Sequence, residues 1–392
     1  MENSKRKSKK EKLMKKKILF ITTRNPYSGR YSGDVIRSAK IINLIKKKYS
    51  LDVVYLNKER NISHKKKLIS FNSPNLFLKL KFCIISLFKL KPLQMGLFYS
   101  REMKTYLNDN ANSYDCLFFN HIRSAQYLPK NYYGETIIEM GDLYSENYHQ
   151  TFKSLNFLNP VKYIYFFESF LVKRLEEEIF NKFDKVILFS KNEIKKVDIK
   201  FKHKIFLIGE SVERVKNYYS FSKKNYRILF VGNLNYLPNF LACRNFIKNT
   251  IPKLKKEITN FKFCIIGDIN KTRKRLLANN SNVEILGSIK NLKNYVKTAF
   301  CGIANLEIAT GVQGKVFTYM SHGLPVICSN KVSKNFGKSV LSYDRDYEII
   351  EKIISLKTNK SKSNDFSRKS LKFVKNLTWK QVSKNYLKLI KL

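Results

Sequence analysis

A short apolar strand that runs through a glycine-containing loop into a helix, and then into a second strand, constrains this chain more than any other feature. Ile18–Thr22 is an apolar run, residues 25–33 are rich in turn formers, and a helical pattern extends from Asp34 to about Lys48. Leu51–Leu56 is the next apolar run. This order predicts a parallel sheet, because a crossover helix is what brings the second strand back beside the first.

The same alternation recurs along the rest of the chain and predicts two successive α/β domains. Further short strands are predicted at Cys116–Phe119, Thr136–Glu139, Val186–Phe189, Ile205–Ile208, Arg227–Val231, Phe261–Ile266, Val283–Leu286, Gly302–Ala304 and Pro325–Cys328. A long helix is predicted over residues 160–182. We therefore predict five segments: a disordered basic tail (1–17), a first domain (18–215), a polar linker (216–225), a second domain (226–374) and a final helix (375–392).

The large excess of basic over acidic residues is the unusual feature of the composition. The 392 residues include 76 Lys and Arg against 30 Asp and Glu, which gives a formal net charge of +46. Such a chain favours polyanions, whether nucleic acid, acidic lipid surfaces or phosphorylated small molecules. Compositional drift toward Lys and Asn is an alternative source of part of this charge. The basic residues are spread along the chain without a nucleic-acid-binding signature, so no nucleic-acid partner is predicted.

Cysteine spacing and hydropathy restrict the compartment. The six cysteines stand apart, and no pair has the C-x-x-C spacing of a metal cage. Free cysteines in apolar runs are typical of a reducing cytosol. No uncharged apolar run reaches the 18 residues that a membrane-spanning helix needs. The chain is therefore expected in the cytoplasm, with no bound metal.

One loop has the composition of an anion site. Residues 309–320 place Gly311 and Gly314 before a helix-like run, and Lys315 follows at once. Backbone N–H groups at a helix N-terminus bind a diphosphate well, and a lysine beside them adds positive charge. A simple loop-to-helix turn with a surface lysine explains the same residues. Neither a P-loop nor a G-x-G-x-x-G motif is present elsewhere.

Several motifs in fixed order resemble a known enzyme family. They are Phe230–Asn239, Cys264–Gly267, Val283–Ile289, Thr310–Val316 and Gly323–Ile327 in the second half, and Gly33–Ser38, Glu139–Ser145, Glu168, Glu176 and Phe183–Asp184 in the first. In this set the chain resembles the retaining GT-B glycosyltransferases of family 4. Its first half is similar to the exopolysaccharide-type sugar transferases associated with PEP-CTERM systems.

The resemblance implies an α/β fold of the GT-B type, with two Rossmann-like domains that face a central cleft and a C-terminal helix that crosses back to the first domain. The second domain would bind a nucleotide sugar, with its base near Gly287–Ile289. The implied donor-binding residues are Gly232, Asn233, Gly267, Ile289, Gly311, Val312, Gln313, Lys315 and Thr318. The first domain would bind a glycan or lipid-linked acceptor through Gly33, Asp34, Arg37, Glu139 and Ser145.

Asp142, Lys315 and Arg37 are the implied catalytic residues. In retaining GT-B enzymes the departing phosphate takes the proton of the acceptor hydroxyl, so the protein stabilises the leaving diphosphate and orients both substrates. The resemblance therefore implies no cofactor and no metal. Asp142 follows a predicted strand, where it either faces the reacting sugar or caps the next helix. Asp34 is either an acceptor contact or a helix cap.

Two positions depart from the family pattern. The family places acidic residues eight positions apart around the diphosphate loop, and Thr310 and Thr318 occupy those positions here. The second acid would hold the ribose hydroxyls, whereas Thr318 offers only a hydroxyl. The loop after the first strand of the second domain carries Asn233 and Asn235 instead of cations. A weakened, non-catalytic partner protein is therefore the main alternative, with a nucleic-acid-binding protein ranked below it. A nucleotide-sugar epimerase ranks below the transferase.

The segment 68–104 suggests contact with a membrane. Leu76, Leu80, Ile84 and Leu87 recur at helical spacing. Four lysines lie among or beside them: Lys79, Lys81, Lys89 and Lys91. Such a segment either lies in the headgroup plane of an anionic bilayer or packs on the first sheet with its lysines extended to water. The expected enzyme is thus a peripheral protein on the inner face of the cell membrane, acting in the synthesis of cell-surface polysaccharide such as lipopolysaccharide.

Overall fold

The structure of the chain is a computed structural model that describes residues 15–28, 33–57, 67–309 and 311–391. Most of the predicted basic tail and Thr310 lie outside the described residues. The chain divides into two compact units. One comprises Met1–Met140 and Leu175–Ile187, and the other comprises Gly141–Arg174 and Leu188–Leu392.

The first sheet has seven strands in the order β3-β2-β1-β4-β5-β6-β7. Their bounds are β1 Lys17–Thr22, β2 Ser50–Asn57, β3 Leu68–Asn72, β4 Cys116–Asn120, β5 Glu135–Gly141, β6 Lys185–Leu188 and β7 Ile205–Leu207. β1 pairs in parallel with β2 on one side and with β4 on the other. The first strand of the chain therefore lies inside the sheet, and the strand order reverses beside it.

The second sheet has six strands in the order β10-β9-β8-β11-β12-β13, and all its pairings are parallel. Their bounds are β8 Arg227–Val231, β9 Lys262–Ile266, β10 Val283–Gly287, β11 Ala299–Ala304, β12 Val326–Ser329 and β13 Leu341–Tyr343. Here β8 lies between β9 and β11, so the order reverses again beside the first strand of the sheet. The predicted linker, residues 216–225, lies between the last strand of the first sheet and β8.

The helices connect these parallel strands. They are α1 Gly33–Lys46, α2 Leu76–Phe88, α3 Leu93–Leu97, α4 Arg101–Asn110, α5 Tyr144–Ser154, α6 Pro160–Lys182, α7 Lys191–Ile194, α8 Leu237–Asn245, α9 Ile251–Glu257, α10 Lys271–Leu277, α11 Lys293–Val296, α12 Gly314–Ser321, α13 Asn330–Ser333, α14 Asp346–Thr358, α15 Lys360–Val374 and α16 Trp379–Lys391. Among the described residues, no helix is both long and apolar enough to cross a membrane.

Three local features differ from the prediction. β3 and β13 were not predicted; β3 is a partly buried edge strand and β13 has only three residues, so neither shows a strong apolar pattern. The helical segment between β8 and β9, which the sequence pattern predicts as one helix from the loop 232–239 to about Lys256, contains a π-helical turn at Phe246–Thr250. Pro252 accounts for this turn, because proline has no N–H to donate four residues back and its ring crowds the preceding turn.

Tyr319 fixes α12 against the centre of the second sheet. Its ring is fully buried. The Tyr319 hydroxyl accepts a hydrogen bond from Val231 N at 2.6 Å and donates to Ile303 O at 3.4 Å. Gly302 in β11 leaves room for the ring, since a Cβ there would lie 2.6 Å from ring atoms of Tyr319. These contacts hold the N-terminus of α12 beside the ends of β8 and β11.

Replacing Gly302 by alanine is expected to lower the free energy of unfolding by roughly 1–3 kcal/mol, because the added methyl group overpacks the Tyr319 ring. Urea denaturation measures the change. Gly209→Ala is the matched control, since a Cβ there would lie 3.5 Å from its nearest neighbour, an ordinary contact. Equal destabilisation by the two substitutions would contradict the packing role of Gly302.

Candidate active site

The reversal of strand order places two loops of the second unit at one edge of its sheet. β8 and β11 are adjacent and parallel, so their carboxyl ends meet at the same edge. Gly232 and Asn233 follow β8, and residues 305–313 follow β11. Ligands of open α/β sheets bind outside the carboxyl ends of the strands at such a reversal. The sheet therefore brings the Gly232–Asn233 loop and the predicted anion loop together.

Asp142 lies directly against Gly311 in the anion loop. Gly311 has φ +63°, and a Cβ built on it would overlap the Asp142 carboxylate, reaching 2.6 Å from Oδ2. Both the left-handed backbone and the close approach therefore require glycine here. The N-cap position of α5 is occupied by Leu143, the residue after Asp142.

A buried carboxyl group from α7 reaches the same place. Glu193 Oε1 accepts a hydrogen bond from Leu143 N at 3.1 Å. Burial raises the pKa of Glu193 to about 7, although the backbone N–H groups of Leu143 and Gly311 favour the ionised form. Near neutral pH this group is therefore part protonated, beside both Asp142 and the anion loop.

Asn335 holds the other side of Gly311. Its Nδ2 donates to Gly311 O at 2.6 Å. Its Oδ1 accepts hydrogen bonds from Ser190 Oγ and Asn192 Nδ2, each at 2.9 Å. The backbone of Gly311 is thus fixed through its carbonyl by a side chain that is itself oriented by α7 and its N-cap.

Two side chains of α5 attach this helix to the loops of the second sheet. Gln150 Oε1 accepts a hydrogen bond from Ala309 N at 3.0 Å. Asn147 Nδ2 donates to the hydroxyl of Tyr236, in the loop after β8, at 2.9 Å. The segment that carries Asp142 is therefore tied to both loops.

Lys315 points its amine into the protein rather than along the surface. Nζ donates to Asn239 Oδ1 at 2.6 Å and lies 4.0 Å from the centroid of the Phe230 ring. Asn239 Nδ2 in turn donates to Asn233 O at 2.9 Å. Burial lowers the pKa of the Lys315 amine to about 7. Burial thus disfavours the charged form of this amine.

The remaining predicted donor residues lie around this core. Thr318 is half-buried, and its hydroxyl donates to Gly314 O at 3.1 Å within α12. Gln313 is the N-cap of α12, and Val312 is half-buried beside it. Gly267 follows β9, where its N–H donates to Gly287 O at 2.8 Å, and Ile289 lies just beyond β10 and packs on the core. Thr310 lies outside the described residues.

The predicted acceptor residues of the first unit form two pairs. Arg37 Nε donates to Glu139 Oε1 at 3.1 Å, and both side chains are buried. Asp34, in the first turn of α1 beside Gly33, pairs with Arg24. Asp34, Arg24 and His121 line a small pocket at the carboxyl ends of β1 and β4, where the first sheet reverses. Ser145 belongs to the other unit, in the first turn of α5.

Sequence reasoning missed four side chains that shape the site: Glu193, Asn335, Asn239 and Gln150. None lies in a glycine-rich or charged motif. The one available signal was the place of Asn239 in the loop-to-helix stretch after β8, which the sequence treated only as part of a family motif. Among the described residues, no group of three or more His, Cys, Asp and Glu side chains is placed to hold a metal ion.

Gly311→Ala is expected to destabilise the second unit by roughly 1–3 kcal/mol, because alanine is strained at a positive φ and its methyl overlaps Asp142. Adding Asp142→Ala removes the overlap but leaves the backbone strain. The two costs should therefore fall short of additivity by about 1 kcal/mol in a double-mutant cycle followed by urea unfolding. Gly314→Ala, with open space around its Cβ, is the control. Strict additivity would show that the two residues do not touch.

Most of the second domain matches a known protein family. Residues 225–359 match the family model described as Glycosyl transferases group 1. No curated protein sequence matches the chain.

Solved structures resemble the chain over nearly its whole length. A variant of S. aureus TarM, in complex with Fondaparinux, alpha-GlcNAc-glycerol and UDP, has a TM-score of 0.64 at 10% identity and covers 96% of this chain and 100% of its own. HepE from Anabaena, in complex with UDP and glucose, has a TM-score of 0.64 at 12% identity, with coverages of 96% and 99%. WaaG, a glycosyltransferase involved in lipopolysaccharide biosynthesis, has a TM-score of 0.64 at 10% identity, with coverages of 95% and 99%.

These likenesses and the two parallel sheets show the predicted two-domain, Rossmann-like GT-B fold. The family match over residues 225–359 supports the predicted group 1 glycosyltransferase family for that part of the chain.

Proposed function

We propose that this protein is a retaining glycosyltransferase that moves a sugar from a nucleotide-sugar donor to a glycan or lipid-linked acceptor in cell-surface polysaccharide synthesis. The observation that carries the proposal is the buried Lys315 amine, with its pKa near 7, at the edge where the loops after β8 and β11 meet. Solved relatives in complex with UDP support a nucleotide-sugar donor. The family motifs of the first half support a member of the exopolysaccharide branch.

The donor diphosphate accepts hydrogen bonds from the backbone N–H groups of Val312 and Gln313, ahead of α12, since the Gly311 N–H faces the Glu193 carboxyl group. Lys315 gains its proton fully as the diphosphate arrives, and the resulting charge stabilises the leaving group when the bond to the sugar breaks. The departing phosphate oxygen takes the proton of the acceptor hydroxyl on the same face of the sugar. Asp142 faces the reacting sugar, with Glu193 holding the backbone of the next residue. The proposed reaction uses no cofactor and no metal, so a chelator leaves the activity unchanged.

A non-catalytic partner protein is the second candidate, and Thr318 favours it. The Thr318 hydroxyl donates its hydrogen to the carbonyl of Gly314. Its oxygen can therefore accept a hydrogen bond from a ribose hydroxyl, but it cannot bind the ribose as a carboxylate would. A protein that binds nucleotide but never releases free nucleoside diphosphate from any nucleotide sugar and acceptor would support this candidate over the enzyme.

Nucleotide binding tests the donor site. A thermal-shift panel of UDP, GDP, ADP and CMP should contain at least one stabilising nucleotide, and Lys315→Met should weaken it at least about tenfold, because the amine no longer neutralises the diphosphate. The pKa of Lys315 is near 7 in the free protein and rises beside the anion, so binding takes up a proton above pH 7. Affinity should therefore fall as pH rises from 7, by at most about tenfold per unit.

Titration calorimetry in buffers of different ionisation enthalpy measures that proton uptake directly. Lys331→Met, which removes an exposed lysine that donates to Glu307 O, is the matched control. No stabilisation by any nucleotide of the panel would contradict the donor site. An unchanged pH dependence in Lys315→Met would contradict the role of its amine.

We also propose that the protein is peripheral on the inner face of the cell membrane, through α2. Leu76, Phe77 and Phe88 on this helix are 84%, 74% and 86% exposed, whereas Cys83 and Ser86 are its buried residues. Lys79, Lys81, Lys89 and Lys91 supply positive charge, and residues 76–91 contain no acid. Apolar side chains that enter the headgroup region, with lysines beside anionic headgroups, account for this pattern.

Changing Lys79, Lys81, Lys89 and Lys91 to serine should reduce binding to vesicles that contain phosphatidylglycerol, by about 1 kcal/mol for each lysine near the surface. Co-flotation measures the bound fraction. Changing four exposed lysines of the second domain, Lys253, Lys255, Lys256 and Lys274, to serine is the charge-matched control. Equal loss in the two variants would mean that net charge, and not α2, accounts for the binding.

A further inference from the structure

The first half of α6, with the loop before it, exposes large apolar side chains to solvent. We call these residues the aromatic face; its members are between 52% and 76% exposed, and they are Phe157, Leu158, Tyr163, Ile164, Phe167 and Phe170. Exposed apolar side chains scattered singly are ordinary, but a contiguous set of this size marks an interaction surface.

One side of the first half of α6 carries four of these exposed side chains. Tyr163, Ile164, Phe167 and Phe170 are spaced by one, three and three residues, which places them on one side of the helix. The other side is the buried one, and it contains Glu168 and Ser169. Ring contacts on α5 hold the helix from that side, with Tyr148 5.3 Å from Tyr165 and Phe152 5.0 Å from Phe166. The buried side also contains Val172 and Leu175, whereas each member of the aromatic face keeps more than half of its surface exposed.

Positive charge borders the aromatic face. Residues 151–174 contain four basic side chains, Lys153, Lys162, Lys173 and Arg174, and one acid, Glu168, which is buried. The next acids, Glu176–Glu178, follow beyond Arg174, so the basic border lies around the loop and the first turns of α6. Lys153, Lys173 and Arg174 are exposed. An anionic partner is therefore complementary to this surface. A second copy of the same face would set these cations against their own equivalents, which opposes self-association through it.

We propose that the aromatic face is a second membrane-contact surface, separate from α2, whose aromatic side chains enter the headgroup region of an anionic bilayer. The face is one side of a helix and not a groove, so it suits a lipid surface better than a single acyl chain. Phenylalanine and tyrosine are suited to that depth, because they combine apolar area with few rotatable bonds. The proposal rests on the proposed peripheral location, and it gives the unit that holds the donor loops a lipid contact of its own.

Vesicle co-flotation of a Phe167→Ser, Phe170→Ser double variant tests the proposal. Both side chains are exposed, so the fold should tolerate the change. Partition onto vesicles of phosphatidylcholine with phosphatidylglycerol should fall at least about fivefold, because the apolar contribution to binding is lost. Ile199→Ser with Leu276→Ser is the matched control, since these residues are 80% and 64% exposed outside both surfaces. The control should partition like the unchanged protein.

The same pair of substitutions is then placed in the α2 lysine-to-serine variant, where a further loss of partition is expected if the two surfaces act separately. Unchanged partition in both backgrounds would overturn the proposal. So would a dimer, seen by sedimentation velocity, that the Phe167→Ser, Phe170→Ser variant dissociates without any effect on lipid binding. Nucleotide thermal shifts on the same proteins keep the hypotheses apart, because a lost donor site would contradict the proposed enzyme while leaving the vesicle result intact.

Discussion

The handedness of parallel crossovers is the constraint on which the site depends. A strand–helix–strand connection in a parallel sheet is right-handed, so when the chain adds strands first on one side of β8 and then on the other, the helices on the two sides cover opposite faces. The helices therefore diverge at the carboxyl ends of β8 and β11, and the loops that follow these two strands meet there. Tyr319 fixes α12 at the same edge from within, by way of Val231 and Ile303. The position of Lys315 follows from both.

The sequence predicted this arrangement wherever the information was local. Apolar runs bounded by turn residues predicted most strands to within a few residues, and glycine next to lysine marked the loop ahead of α12. Edge strands such as β3 were not predicted, because a partly buried strand lacks a continuous apolar run. The side chains that contact this loop were not predicted either. Asn239 lies 76 residues from Lys315 in the sequence. A single asparagine or glutamate at such a distance forms no recognisable sequence pattern. What the sequence lacked was long-range pairing, which depends on the packing of whole sheets.

The basic residues that produce the net charge of +46 fall into groups with different roles. Lys315 is buried and its pKa is lowered, whereas Arg37 is buried in an ion pair with Glu139. The lysines around α2 and those beside the aromatic face remain at the surface, next to apolar side chains. The distribution of basic residues relative to apolar area is therefore more informative than their total. The same count of lysines on a polar surface would carry no argument for a lipid partner.

The buried thiols allow the unfolding of each unit to be followed by chemical labelling. All six cysteines are free and buried, with Cys83 and Cys116 in the first unit and Cys243, Cys264, Cys301 and Cys328 in the second. Burial raises the pKa of the Cys116 and Cys301 thiols, so the reactive thiolate is scarce while the fold is intact. An alkylating reagent therefore modifies them when the surrounding sheet unfolds. The rate at which each peptide acquires the label gives the stability of each unit separately, within one unmodified chain.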